Sequence, residues 1–127
     1  MSREIKFRAW DIQQNRMLEW NELKNEVAIL TEALENRYPY FKPIMQFTGL
    51  EDKNGMEIYE GDIIREQRKR FKDRYFVVEW LSGIGSYSFQ PVDKEAKSWP
   101  CFNFGSAKNL EIVGNIYKNK ELLEGSK

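Results

Sequence analysis

The sequence contains no histidine. That absence removes histidine general-base chemistry, Ser-His-Asp and Cys-His arrangements, and histidine-ligated zinc or iron. Oxygen donors remain, so carboxylates are left as ligands for a cation of the magnesium or manganese kind. There is one cysteine, Cys101, which excludes an intramolecular disulfide and suits a reducing compartment. Beside Pro100 it has no histidine and no clear cation to lower its pKa, and it reads as a small buried apolar residue. The chain also lacks a charge excess: 20 lysines and arginines face 20 aspartates and glutamates. The whole molecule therefore argues neither for nucleic acid nor for an acidic mimic of it, and any electrostatic partner must read a local patch. No apolar run is long enough to span a bilayer, and the charged start Met1-Ser2-Arg3-Glu4 is followed by no apolar segment of a secretory signal. A cytoplasmic protein with no membrane partner is expected.

What is present describes a folded chain. Its 127 residues fit a single domain, 1–127, with an N-terminal subdomain 1–43 as the alternative division. Apolar residues make up 41% and aromatic residues 14%, too many for a disordered segment and enough to fill a core. There is no internal repeat and no low-complexity tract.

Strand signals dominate. Ile5, Phe7 and Ala9 alternate with Lys6, Arg8 and Trp10; Asp11 to Arg16 is a polar turn, and Met17 to Trp20 returns, so an N-terminal hairpin is expected. Leu23, Val27, Leu30 and Leu34 then fall on one helical stripe, with Asn21 as N-cap, Arg37 at the far end, and Pro39 and Pro43 stopping the helix. Ile44 to Phe47 is a short strand, Thr48 to Gly55 carries turn chemistry ending in Asn54-Gly55, and Glu57 to Glu60 returns. Tyr75 to Leu81 is the strongest strand, Tyr87 to Val92 alternates again, and Leu110 to Tyr117 is the last strand, before a terminal turn at Leu122 and Leu123 that Asn119 would cap. The segment Asp93 to Ser106 reads as a loop holding Trp99, Phe102 and Phe104. The expectation is a mainly β domain, a small twisted sheet or SH3-like barrel with an N-terminal hairpin and one inserted α-helix.

Four runs carry a family resemblance. They are Lys6-Phe7-Arg8-Ala9-Trp10-Asp11; Met45 to Leu50 continuing through Asp52-Lys53-Asn54-Gly55 to Ile58-Tyr59-Glu60-Gly61-Asp62-Ile63; Val77-Val78-Glu79-Trp80; and Leu110 to Tyr117 followed by Glu121-Leu122-Leu123. In these runs the chain resembles the YopX proteins of phages and prophages, in that family's order and over most of its length. The family commonly has proline where Lys120 stands, and the segments Asn21 to Tyr40 and Asp93 to Asn109 match nothing in it. The resemblance implies a mostly β domain and a phage or prophage origin. It implies no catalytic residues and no cofactor.

Two constellations bear on chemistry. Asp52, Glu57, Glu60 and Asp62 lie close in sequence, as a carboxylate site for magnesium would; the competing reading is a hairpin followed by a Gly-Asp turn, in which glycines answer backbone needs. Arg65, Arg68, Lys69, Arg70, Lys72 and Arg74, interrupted by only Glu66 and Asp73, give a local excess of four positive charges, with Phe71 inside the run. They are candidate phosphate contacts with Phe71 or Tyr75 as a stacking partner, or else the solvated loop of a hairpin. The glycines of Gly83-Ile84-Gly85 lack the third glycine and the helix of a dinucleotide site and read as a turn. Trp10, Trp20, Trp80 and Trp99 are core residues or part of a self-association surface. The leading expectation is a non-catalytic accessory protein that binds a host or phage protein or itself. The alternative is a nucleic-acid-binding module using residues 65–74, and a magnesium-dependent carboxylate enzyme comes third.

Overall fold

The computed structural model describes residues 4–35, 40–83, 85–93 and 110–124. The expectations for Arg37, Pro39, Trp99, Cys101, Phe102 and Phe104 lie outside these residues. The protein is mainly β, with two antiparallel sheets, one of them curled into a half-barrel. Its chain divides into two compact units, Met1–Phe47 and Thr48–Lys127.

In the first unit, β1 (Phe7–Asp11) and β2 (Arg16–Leu18) form the N-terminal hairpin, with Ala9 opposite Leu18 and Asp11 opposite Arg16. Asp11 makes the turn: its Oδ1 accepts from the backbone N–H of Gln13 at 2.9 Å and of Gln14 at 3.1 Å. Asn15 follows at φ 56°, a left-handed conformation that asparagine tolerates. The first residues of β3 (Met45–Glu51) pair antiparallel with β1, Gln46 opposite Phe7. Ala9, Leu18, Leu23, Ala33 and Phe41 make the buried cluster, with Trp20, Ile29, Leu30 and Ile44 packed around it.

The helical segment falls where the periodicity places it, but it is broken. Helix α1 (Trp20–Asn25) ends at Glu26, whose φ −126° and ψ 84° are not helical, and α2 (Val27–Glu35) begins at once. Residue Glu19, not Asn21, stands at the N-cap, without a side-chain cap bond. The break has a packing cause. Along an unbroken helix Leu23 and Ala33 would point about 80° apart, yet both are buried in the same cluster. Re-aiming α2 brings Ala33, Ile29 and Leu30 inward, so Val27 and Leu34 of the expected stripe stand 72% and 52% exposed.

In the second unit, β4 (Glu57–Tyr59) lies beside the latter part of β3. A second sheet runs β7-β6-β5-β8, from β5 (Asp62–Glu66), β6 (Arg74–Leu81), β7 (Ser86–Pro91) and β8 (Glu111–Asn115). Phe76 and Val78 alternate onto its inner face, Val78 facing Phe89 across the ladder. With Ile58, Ile64 and Leu110 they form the core of this unit, flanked by Leu50 and Ile112. The β5–β8 register slips between Ile63 and Ile64, and such an irregularity adds twist to a curling sheet.

Two details differ from the reading of the sequence. Thr48 to Glu51 is strand rather than turn: the chain passes Gly49 at φ 89°, and the Thr48 hydroxyl donates to the Ile58 carbonyl at 2.8 Å, tying β3 to β4. The turn itself is narrower and centres on Asn54-Gly55, with Gly55 at φ 80°. At the other end, Asn119 precedes the 3₁₀ turn Lys120–Leu123 without capping it by its side chain. Instead its Oδ1 accepts from the Asn115 N–H at 3.1 Å and fills the space over Gly114, where any Cβ would collide with it.

Candidate functional site in the basic hairpin

β5 and β6 pair as far as Glu66 opposite Arg74, and the seven residues between them form the loop of a long hairpin. β-branched and aromatic residues hold the two strands; the loop has none of those except Phe71, so nothing draws it into the core. The structure sorts the run 65–74 into a base and a tip. At the base, Arg65 forms an ion pair and hydrogen bond with Glu111 on β8, and Arg74 forms one with Glu66, its Nε donating at 2.6 Å. The Arg74 guanidinium also lies 5.7 Å from the centre of the Phe76 ring. These two arginines therefore lace the sheet.

Asn54 Nδ2 donates to Glu111 at 3.2 Å; that bond first and the Arg65 guanidinium second hold the Glu111 carboxyl below its ordinary value, while the bond to Glu111 raises Arg65.

The tip is different. Arg68 folds back, its Nε donating to the Lys72 carbonyl at 2.9 Å and its guanidinium lying 5.1 Å from the centre of the Phe71 ring. Lys69, Arg70 and Lys72 are exposed, and no acidic side chain pairs with them among the described residues. Phe71 is 69% exposed. Of the seven candidate contacts, then, Arg68, Lys69, Arg70, Phe71 and Lys72 come together on one loop, and Arg65 and Arg74 are turned to the sheet. Glu111 is invisible to reasoning along the chain, because it is 46 residues from Arg65 in sequence and only the β5–β8 pairing joins them. Glu66 is legible as a partner of Arg74 from the hairpin register. With Glu111 included, the local excess is three positive charges rather than four.

The carboxylates of the 52–62 run do not converge. Asp52 is buried and accepts three backbone N–H groups: Asn54 at 2.8 Å and Met56 at 2.9 Å on Oδ1, and Ile112 at 2.9 Å on Oδ2. It closes the β3–β4 turn and fastens it to β8. Asp62 is buried too, and its Oδ2 accepts the Tyr59 N–H at 2.8 Å across the Gly61 turn. Both are acceptors that a tight backbone turn needs. Glu57 and Glu60 are half-buried. Among the described residues no group of three or more aspartate, glutamate, cysteine or histidine side chains could hold a metal ion.

Of the tryptophans, Trp10 is buried and Trp20 half-buried against Phe7, their ring centres 5.9 Å apart. Trp80 is 49% exposed and meets Tyr87 edge-on at 4.9 Å, next to the turn that joins β6 to β7. No helix among the described residues is long and apolar enough to cross a membrane.

Comparison with known proteins agrees with this fold. The sequence matches the family described as YopX protein over residues 6–124. No curated protein matches it. Among solved structures, the crystal structure of protein EF1440 from Enterococcus faecalis superposes with a TM-score of 0.64 at 22% identity, covering 96% of this chain and 99% of that one. At that identity the likeness concerns the fold.

Proposed function

The chain belongs to the YopX protein family, and from that premise we propose that it is a phage or prophage accessory protein that acts by binding, not by catalysis, in the cytoplasm of a host cell. The observation that carries this reading is the contrast between its polar groups. Asp52 and Asp62, the buried carboxylates, are spent on backbone N–H groups, whereas the β5–β6 tip presents Phe71 and unpaired cations to solvent. Aromatic side chains and arginine are the residue types enriched at contact surfaces. The partner is a host or phage protein or a second copy of the chain. No cofactor and no metal enter this reading.

A second reading has its own support. Arg68, Lys69, Arg70 and Lys72 on one loop suit phosphate contacts, with Phe71 as a stacking platform for a single strand.

Affinity purification of the chain from host cells, with and without nuclease, separates the two. A nuclease-resistant protein partner that is lost in Lys69→Glu/Arg70→Glu supports the first reading. Recovery of nucleic acid alone, abolished by nuclease, replaces it with the second. Turnover by the purified chain that disappears in Glu57→Gln would overturn both.

A further inference from the structure

Asn54-Gly55, in the turn between β3 and β4, is a chemically reactive pair as well as a backbone device. The amide nitrogen of a residue that follows asparagine can attack the asparagine side chain, and a glycine there has no Cβ to obstruct the approach. No other asparagine in the chain is followed by glycine. Both residues are exposed, so water reaches them. Yet each reacting group is tied. The Gly55 N–H, whose nitrogen would be the nucleophile, donates to the Asp52 carbonyl at 3.0 Å. The Asn54 Nδ2, which would be the leaving group, donates to Glu111 on β8 at 3.2 Å. The Asp52 carboxylate holds the turn around them through the N–H groups of Asn54 and Met56. Attack requires the nitrogen to be aimed at the Asn54 Cγ at close range, and neither group can turn to meet the other while these bonds last.

We propose that Asn54 is a site of spontaneous deamidation that the fold holds back, and that the reaction, once it occurs, keeps the turn from closing as before. When the turn opens, the Gly55 nitrogen bonds to the Asn54 Cγ and gives up its proton to solvent. The Cγ–Nδ2 bond breaks, and the amide leaves with a proton as ammonia. Water then opens the cyclic imide. Cleavage on the side-chain carbonyl leaves aspartate, and cleavage on the main-chain carbonyl leaves isoaspartate, with Gly55 joined through Cγ. The net change is water in and ammonia out, with nothing oxidised or reduced. Aspartate sets a carboxylate against Glu111 where a donor stood, and like charges that close repel. Isoaspartate adds a methylene to the main chain inside the turn, which shifts Gly55 and Met56 away from their bonds to Asp52. Either product breaks the Asn54–Glu111 tie between this turn and β8. The pair therefore acts as a clock: its rate reports how often the turn opens, and its product limits the lifetime of the folded chain.

The test is a time course on the full chain in mildly alkaline buffer, with deamidation at Asn54 and isoaspartate read by peptide mass spectrometry. The folded wild type should react about tenfold more slowly than the same chain in urea, or more slowly still, a factor that corresponds to an opening cost of about 1.4 kcal/mol. Glu111→Ala removes the acceptor that holds the leaving amide, and should speed the folded reaction about threefold, the worth of one weak hydrogen bond. Asp52→Ala should speed it further. Should that variant not fold, Glu111→Ala still decides, because Glu111 lies on the surface side of β8. Asn54→Asp, which makes one product directly, should lower the urea midpoint of unfolding, and should lower it less in the Glu111→Ala background, where the repulsion is gone. Folded and unfolded chains that react at the same rate, a folded rate unmoved by Glu111→Ala, or aspartate formed without isoaspartate would each overturn the proposal. So would an Asn54→Asp variant as stable as wild type, or one whose cost does not depend on Glu111.

Discussion

Removing the Asp52 carboxylate should open the second unit at one identifiable place. In Asp52→Ala three backbone donors lose their acceptor: the N–H groups of Asn54, Met56 and Ile112. A buried donor left unsatisfied costs about 1–3 kcal/mol. Asn54 and Met56 are exposed, so water reaches their amides and their share falls at the low end; Ile112 lies half-buried on β8 against the core and takes the larger share. With about 1 kcal/mol each for Asn54 and Met56 and about 2–3 kcal/mol for Ile112, the sum is a loss of about 4–5 kcal/mol, a large fraction of the roughly 5–15 kcal/mol that holds a domain together. Asp52→Asn should cost less, because its carbonyl oxygen still serves the turn, but its NH2 then faces the Ile112 N–H. Urea denaturation followed by tryptophan fluorescence measures both variants, and hydrogen exchange should show Met56 and Ile112 losing protection together. An alanine variant within about 0.5 kcal/mol of wild type, or an asparagine variant no better than alanine, would refute the role given to Asp52.

The other expectations concern packing and charge. Leu23→Ala, in the core, should cost about 2–5 kcal/mol, whereas Val27→Ala, on the same sequence stripe but exposed, should fall within about 0.5 kcal/mol of wild type; equal costs would mean that α1 and α2 are one straight helix. Gly114→Ala should destabilise by about 1–3 kcal/mol through its clash with Asn119, and a double variant with Asn119→Gly should recover part of that loss in the same denaturation assay. The Glu111 carboxyl is depressed in the folded protein by Asn54 and then Arg65. Its contribution is therefore present above the ordinary carboxylate value and is lost as pH falls below it. The stability difference between wild type and Glu111→Gln should shrink toward zero on acidification, and a difference that persists or grows in acid would contradict the assignment.

Local sequence decides much of this protein. Asp11 to Arg16 and Asn54-Gly55 specify their turns because only certain residues accept the backbone angles required there, and Tyr75 to Leu81 specifies a strand because β-branched and aromatic side chains alternate onto a buried face. The missing histidines narrow the chemistry by composition alone. The break at Glu26 is not legible, since glutamate is a good helix former. It arises because Leu23 and Ala33 must reach one cluster, a demand set by Ala9, Leu18 and Phe41 from other elements. The basic run is legible as a run, but its division into structural arginines and a solvent-facing tip is not. Arg65 is neutralised by Glu111 only because β5 and β8 are neighbours, and Arg74 by Glu66 because of the hairpin register. A sequence determines which charges and apolar groups exist and the short-range conformations they prefer. Which of them remain facing water depends on what folds against them from far along the chain, and only the tertiary structure decides that.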